Sequence, residues 1–163
     1  MRFGCVCLIL WALAISAIHG QSADPLIGSY RLVAASATDA RGVVDTTPYG
    51  AALTGALVYT AEGRVMVLLS YGDRQRLSGA DRIAAPADER AQAFTTFFAY
   101  SGRYTVNGDR VTHHVEVASY PNWVNTDFVR IFNVLGDRLT LQTPPLSVGG
   151  TMQTSDLVWE RIK

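Results

Sequence analysis

A short cluster in the C-terminal half holds the residues of this sequence best suited to moving a proton: His113, His114 and Glu116. An imidazole titrates close enough to neutral pH to act as a general acid or base. Neighbouring side chains on a β-strand point to opposite faces, so His113 shares a face with Val115 and Val117. If that apolar face lines the interior, His113 points inward and His114 pairs with Glu116 outside. An inward histidine either contacts a ligand or fixes the strand register, and the sequence leaves both alternatives open for each histidine.

Metal and nucleophile chemistry have little support in the same cluster. Adjacent side chains on one strand diverge, so His113 and His114 cannot bind one ion. His114 and Glu116 could, but a third ligand would have to come from elsewhere, and the expected mature chain has no Cys and no other His. There is no Gly-x-Ser-x-Gly nucleophile motif and no phosphate-binding glycine pattern. We therefore expect no metal and no cofactor.

Aromatic residues in the apolar segments are candidates for the wall of a ligand pocket, because such rings combine apolar area with polar tips. They are Tyr59, Tyr71, Tyr100, Tyr104, Trp123, Phe128 and Phe132. Packing in an ordinary core is the alternative for each ring. Trp123 follows Pro121 and Asn122 in a predicted turn, where it would cover the cavity.

Two cations fall within predicted strands, Arg103 and Arg130. An inward arginine must meet a carboxylate or an anionic ligand, because an unpaired buried charge is costly. This cost favours the outward, solvated placement for both, although Arg130 stays among the candidate ligand contacts.

The elements that must position these residues are short strands, since apolar residues of period two recur between turn signals. The predicted strands cover residues 27–35, 55–60, 64–71, 99–106, 110–119, 126–135, 138–143 and 156–162. Asn107-Gly108 between two of them is a strong hairpin signal. Residues 86–98 differ: a proline, early acids and apolar residues at helical spacing predict one short helix that lies against the sheet or plugs one end.

Eight antiparallel strands need a way to protect their edges, and closure into a barrel removes the edges altogether. Hairpin-length connections favour an up-and-down barrel over a two-sheet sandwich, which needs long crossing connections. The sequence therefore predicts an all-β fold, an eight-stranded antiparallel barrel with one short helix.

The first 20 residues have the pattern of a secretory signal peptide. A positive start precedes an apolar run that is shorter than the roughly 20 residues of a membrane-spanning helix, and small residues follow it. We expect residues 1–20 to be a cleaved signal and residues 21–163 to be one domain that is secreted or periplasmic, with no stable membrane insertion after cleavage.

Seven segments together resemble the bacterial and fungal lipocalin-like domain family. They are LIGSYRLV (26–33), GALVYTAEGRV (55–65), YSGRY (100–104), HHVE (113–116), PNW (121–123), LTLQTPP (139–145) and LVWER (157–161). The resemblance implies a small barrel with an internal cavity for a hydrophobic molecule. It also implies that Tyr30, in a place where the family often has Trp, closes the barrel floor against Arg161.

Composition limits the partners. The sequence carries 14 Lys and Arg against 14 Asp and Glu, so it has no excess of positive charge to bind nucleic acid. We expect a small hydrophobic or weakly polar molecule as the partner and leave the oligomeric state open. A secreted binding protein is the first hypothesis. A cofactor-free cyclase, isomerase or hydrolase that uses His113 or His114 is the second, and a structural protein with a filled barrel is the third.

Overall fold

A computed structural model of the protein describes residues 24–72, 74–148 and 150–163. The expected signal peptide, residues 1–20, lies outside these ranges. No helix within them is long and apolar enough to cross a membrane.

Ten strands and one α-helix make up most of the described chain. The strands are β1 (Gly28–Asp39), β2 (Val44–Asp45), β3 (Thr54–Tyr59), β4 (Arg64–Ser70), β5 (Phe97–Asn107), β6 (Arg110–Ala118), β7 (Asp127–Leu135), β8 (Arg138–Gln142), β9 (Leu146–Val148) and β10 (Thr151–Arg161). The helix is α1 (Ala87–Thr95), and a single 3-10 turn covers Pro121–Trp123. Each predicted strand is confirmed to within a few residues.

Pairing between the first and last strands closes the sheet. The strands follow the order β2-β1-β3-β4-β5-β6-β7-β8-β10-β9, and β1 also pairs antiparallel with β10. The short strands β2 and β9 extend the sheet, which leaves eight strands in the closed ring. The predicted eight-stranded up-and-down barrel with a short helix is therefore confirmed.

The two ends of the barrel differ in their connections. Three tight hairpins join β3 to β4, β5 to β6 and β7 to β8, and each contains a glycine with positive φ: Gly63, Gly108 and Gly136. Strand direction places all three at one end, which we call the floor. The longer connections are residues 40–53, 71–96, 119–126 and 143–150. Their described residues, which leave out 73 and 149, lie at the opposite end, which we call the mouth.

Residues 24–27 and Arg161 close the floor of the barrel. Leu26 is fully buried, and the Tyr30 hydroxyl donates to its carbonyl over 2.9 Å. The Arg161 guanidinium lies 4.7 Å from the centre of the Tyr30 ring and donates to the carbonyls of Pro25 and Ile27. The contact between Tyr30 and Arg161 that the family resemblance implies is therefore present.

The helix is shorter than predicted, and of its two predicted placements the plug at one end is wrong. It spans Ala87–Thr95 after Pro86, with Asp88 and Glu89 in its first turn. None of its residues is buried, so it lies beside the mouth without plugging the barrel. Phe98, which matched the helical spacing, belongs instead to β5.

A β-bulge interrupts the alternation of β6. Ser101 pairs with Val117 and Gly102 with Val115, so Glu116 is the extra residue. The bulge reverses the facing of the residues beyond it: Val115 is buried, whereas Val117 is 65% exposed. The predicted inward placement of Val117 is therefore wrong.

Candidate functional site

An apolar cavity of about 560 Å³ occupies the mouth half of the barrel. Its wall comes from β4, β5, β7, β8 and β10 together with all four of the mouth connections. It is lined by Tyr49, Val67, Leu69, Tyr71, Phe98, Tyr100, Trp123, Asp127, Phe128, Val129, Arg130, Leu141, Thr143, Pro144, Pro145, Leu146, Ser155, Leu157 and Trp159. This size and this lining, mostly apolar with a few polar groups, are typical of small-molecule sites.

Five of the predicted ligand contacts line this cavity: Tyr71, Tyr100, Trp123, Phe128 and Arg130. Whether they touch a ligand remains a prediction.

The other predicted contacts lie elsewhere. Tyr59 and His113 are buried below the cavity, and Phe132 packs against the core. Tyr104 lies at the floor, where its hydroxyl donates to Asp24 Oδ2 over 2.7 Å. These four side chains are absent from the cavity lining.

Aromatic rings surround the cavity entrance. The Trp123 ring stacks edge-on against Phe98, Tyr100, Tyr120 and Phe128, with centroid distances between 5.4 and 6.3 Å. Trp123 is half-buried in the 3-10 turn. The predicted position of Trp123 at the mouth is confirmed, and its edge-on contacts hold it beside the cavity.

His113 lies between two tyrosines beneath the cavity. It is fully buried; its Nε2 is 2.6 Å from the Tyr59 hydroxyl and its Nδ1 is 2.8 Å from the Tyr100 hydroxyl. Burial, followed by the charge of Arg130, lowers the pKa of His113 to about 3. The ring is therefore neutral near pH 7, and neither nitrogen is free to accept a proton from a ligand.

His114 and Glu116 lie on the outer surface of the barrel, where they cannot reach a molecule in the cavity. The expected pair between them does not form. Asp127 lies opposite His114 across β6 and β7, and its Oδ1 is 2.8 Å from His114 Nδ1. Glu116 instead accepts hydrogen bonds from Arg64 and Arg103, which hold the pKa of its carboxyl below the usual value. His114 and Glu116 therefore bond to residues on neighbouring strands and not to each other.

The two mid-strand arginines have opposite placements. Arg103 faces solvent, as expected, and it pairs with Glu116, which was not predicted. Arg130 lines the cavity, its guanidinium 5.1 Å from the centre of the Phe128 ring, and donates to the Val129 carbonyl. The outward placement favoured for Arg130 is wrong. Its half-buried position at the mouth is tolerated because the guanidinium makes a cation–π contact with the Phe128 ring.

Several lining residues were absent from the sequence-based candidates. Tyr49 comes from the connection between β2 and β3, and its ring contacts Tyr71 at 5.2 Å. Pro144 and Pro145 follow β8 and also line the cavity. The period-two pattern would have found Leu69 and Leu141, which are buried between less buried neighbours. Nothing local in the sequence marks the connections as cavity wall.

Within the described ranges, no group of three or more His, Cys, Asp or Glu side chains is placed to hold a metal ion. One buried polar atom there also has no hydrogen-bond partner, the Trp159 indole nitrogen at the base of the cavity.

The closed floor, the open mouth and the apolar interior define a cup-shaped antiparallel β-barrel. The family model of the lipocalin-like domain matches residues 27–162. The chain therefore belongs to the lipocalin-like domain family.

Two individual proteins are similar to this chain. The 4'-hydroxy-3'-methoxypropiophenone carrier protein ppsC of Aspergillus oryzae is 38% identical over 93 residues, which cover 52% of this chain and 84% of that protein. The crystal structure of Rv2717c from M. tuberculosis aligns with 85% of this chain and 94% of its own, at 14% identity and a TM-score of 0.30.

Proposed function

We propose that this protein binds a small aromatic, mainly apolar molecule in the barrel cavity and carries it without changing it chemically. The observation that carries the proposal is the cavity of about 560 Å³, walled by aromatic and aliphatic side chains and open at one end. The similarity to a carrier of a propiophenone supports the same class of ligand. Turnover has no comparable support, because His113 is bonded on both nitrogens and the other catalytic candidates lie outside the barrel.

Neighbouring residues on β10 provide a matched test. Leu157 lines the cavity, whereas Val158 lies on the outer side of the barrel. We expect Leu157→Trp to fill the cavity and lower the affinity for 4'-hydroxy-3'-methoxypropiophenone by at least about tenfold, and Val158→Trp to leave the affinity near that of the original protein. Titration followed by tryptophan fluorescence in the original protein, and calorimetry in the variants, measures both.

Two results would overturn the proposal. The first is equal binding by the Leu157→Trp and Val158→Trp variants, which would place the ligand outside the cavity. The second is recovery of a chemically altered ligand after incubation, detected by mass spectrometry, which would establish turnover.

The proposal includes export, supported by the signal-like pattern of residues 1–20. Fusion of these residues to a reporter enzyme that works only outside the cytoplasm should yield activity. A reporter that stays inactive, with the leader uncleaved, would contradict export.

A further inference from the structure

A buried chain of hydrogen bonds leads from the core to the cavity wall through Tyr59, His113 and Tyr100. Tyr59 and His113 are at most 1% exposed, and Tyr100 is 7% exposed and lines the cavity. The three side chains come from β3, β6 and β5, and His113 joins the other two through its two ring nitrogens. The chain has one end in the core and one end at the ligand site.

A neutral imidazole has one N–H donor and one acceptor nitrogen. His113 is neutral, since its pKa lies at about 3. One of the two tyrosines must therefore donate to the ring, while the other accepts the N–H and keeps its own hydroxyl hydrogen for a different partner.

Burial decides which tyrosine donates. Among the described residues, the Tyr59 hydroxyl has no hydrogen-bond partner besides His113 Nε2. If Tyr59 accepted from Nε2, its own hydrogen would be buried without an acceptor, which is unfavourable. Tyr59 therefore donates to Nε2, the proton of the ring sits on Nδ1, and Nδ1–H donates to the Tyr100 oxygen.

In this arrangement, none of the residues that the structure describes accepts the hydrogen of the Tyr100 hydroxyl. Burial raises the pKa of Tyr100, so its hydroxyl stays protonated and remains a donor. The positive charge of Arg130, also in the lining, acts on the same hydroxyl, and a guanidinium can only donate. The acceptors of the lining for which a partner is described, Asp127, Thr143 and Ser155, bond to groups other than Tyr100. The Tyr100 hydrogen is therefore left for an acceptor on the ligand.

We infer that the Tyr100 hydroxyl, held by His113, is a fixed hydrogen-bond donor that selects aromatic ligands carrying a carbonyl or carboxylate oxygen. The inference rests on the proposed function and names the chemistry of the buried, polar end of the ligand. Tyr100 is the specificity-determining contact, and His113 is a positioning residue that acts through it.

Matched ligands test the selection. Propiophenone and n-propylbenzene share a carbon skeleton and differ in the ketone oxygen, and 3-phenylpropionate supplies a carboxylate. We expect the original protein to bind propiophenone, 3-phenylpropionate or both about fivefold to tenfold more tightly than n-propylbenzene, measured by calorimetry. Tyr100→Phe should bring the affinity ratio of each preferred ligand to the hydrocarbon near one. The ligand whose ratio falls identifies the oxygen as a carbonyl or a carboxylate.

Tyr104→Phe is the control, because it also removes a buried tyrosine hydroxyl, but one bonded to Asp24 and the Thr60 carbonyl outside the cavity lining. It should keep the preference of the original protein. If the original protein binds all three ligands equally, or if Tyr100→Phe keeps the preference, the inference is wrong while the carrier function stands. If the original protein binds none of the three, the proposed function fails for this ligand class and the inference fails with it.

The tautomer of His113, that is, which ring nitrogen carries the proton, provides a separate test. A histidine that only fills space in the core would not require one particular tautomer. Long-range ¹H–¹⁵N NMR spectra distinguish a protonated Nδ1 from a protonated Nε2. We expect His113 to show the Nδ1–H form in the original protein. A protonated Nε2 would mean that Tyr100 donates to the ring, and would overturn the inference without affecting the carrier function.

Discussion

His113 is of a residue type suited to acid–base chemistry, but in the structure it is a neutral residue that orients two tyrosine hydroxyls. Its ring is fully buried, the charge of Arg130 opposes protonation, and its pKa falls to about 3. Such a histidine is a poor proton acceptor at neutral pH. Its two nitrogens instead set the donor and acceptor roles of the tyrosines on either side of it.

The same low pKa links His113 to the stability of the protein at acid pH. An unfolded histidine has a pKa of about 6.5, so below that pH the unfolded chain takes up a proton that folded His113 refuses. We expect the free energy of unfolding to fall as the pH drops from about 6.5 towards 3, with a slope of up to about 1.4 kcal/mol per pH unit from this residue. Urea denaturation at a series of pH values measures the fall.

The His113→Gln variant isolates this contribution, because an amide does not titrate. Between pH 6.5 and about 4.5, the free energy of unfolding of the variant should fall less than that of the original protein. The window ends at about 4.5 because Glu116 and Asp137, whose pKa values are lowered, take up protons at lower pH. Above pH 7 the two curves should run parallel. Equal slopes in the acid window would show that His113 titrates normally in the folded state.

The sequence predicted correctly which way the His113 side chain points, but it did not predict the residues that His113 contacts. Alternation along β6 placed His113 inward, since that property depends on its own strand. The partners Tyr59 and Tyr100 depend on the registers of β3 and β5, which no local pattern encodes. The inward placement of Arg130 was missed because the general cost of burying a charge does not anticipate an aromatic face beneath it.

Among the strands, β5 and β6 show how one glycine permits a local irregularity. Gly102 is buried opposite the bulge at Glu116. A Cβ atom added at Gly102 would overlap the backbone carbonyl of His114. The close approach of the two strands, which the bulge requires, is therefore possible only without a side chain at this position.

Substitution of this glycine should be costly. We expect Gly102→Ala to lower the free energy of unfolding by about 1–3 kcal/mol or more, because backbone atoms must move to relieve the overlap. Gly79→Ala, at an exposed glycine with open space around it, should change it by no more than about 0.5 kcal/mol. Urea denaturation of both variants checks the difference, and equal stabilities would mean that the bulge adapts freely.

The elements themselves were largely predictable, and their irregularities were not. Strand spans followed from period-two apolar residues and from turn signals such as Asn107-Gly108. The end of the helix was misplaced because Phe98 fits both a helical and a strand pattern. The bulge left no signal in the sequence, since Val117 continues the apolar alternation of β6 and only its pairing with Ser101 turns it outward.

On the scale of the whole molecule, the two ends of the barrel have separate roles. Tight hairpins and residues 24–27, of which Leu26 is buried, close the floor, while the long connections leave the mouth open and supply cavity wall. The up-and-down order of the strands produces this division, because consecutive hairpins alternate between the two ends. Changes at the floor should therefore affect stability and spare ligand binding.

Arg161 tests this separation, with Arg31 as its control. Arg161 covers the Tyr30 ring and donates to two backbone carbonyls, so Arg161→Met should lower the free energy of unfolding by about 1–3 kcal/mol. Arg31, on β1, makes a solvent-exposed pair with Glu160, and Arg31→Met should cost less than about 1 kcal/mol. Both variants should bind ligand like the original protein when folded, measured by calorimetry after urea denaturation has ranked them. Weaker binding by folded Arg161→Met would show that the floor and the mouth are coupled, and similar stability losses in both variants would show that Arg161 acts as an ordinary surface charge.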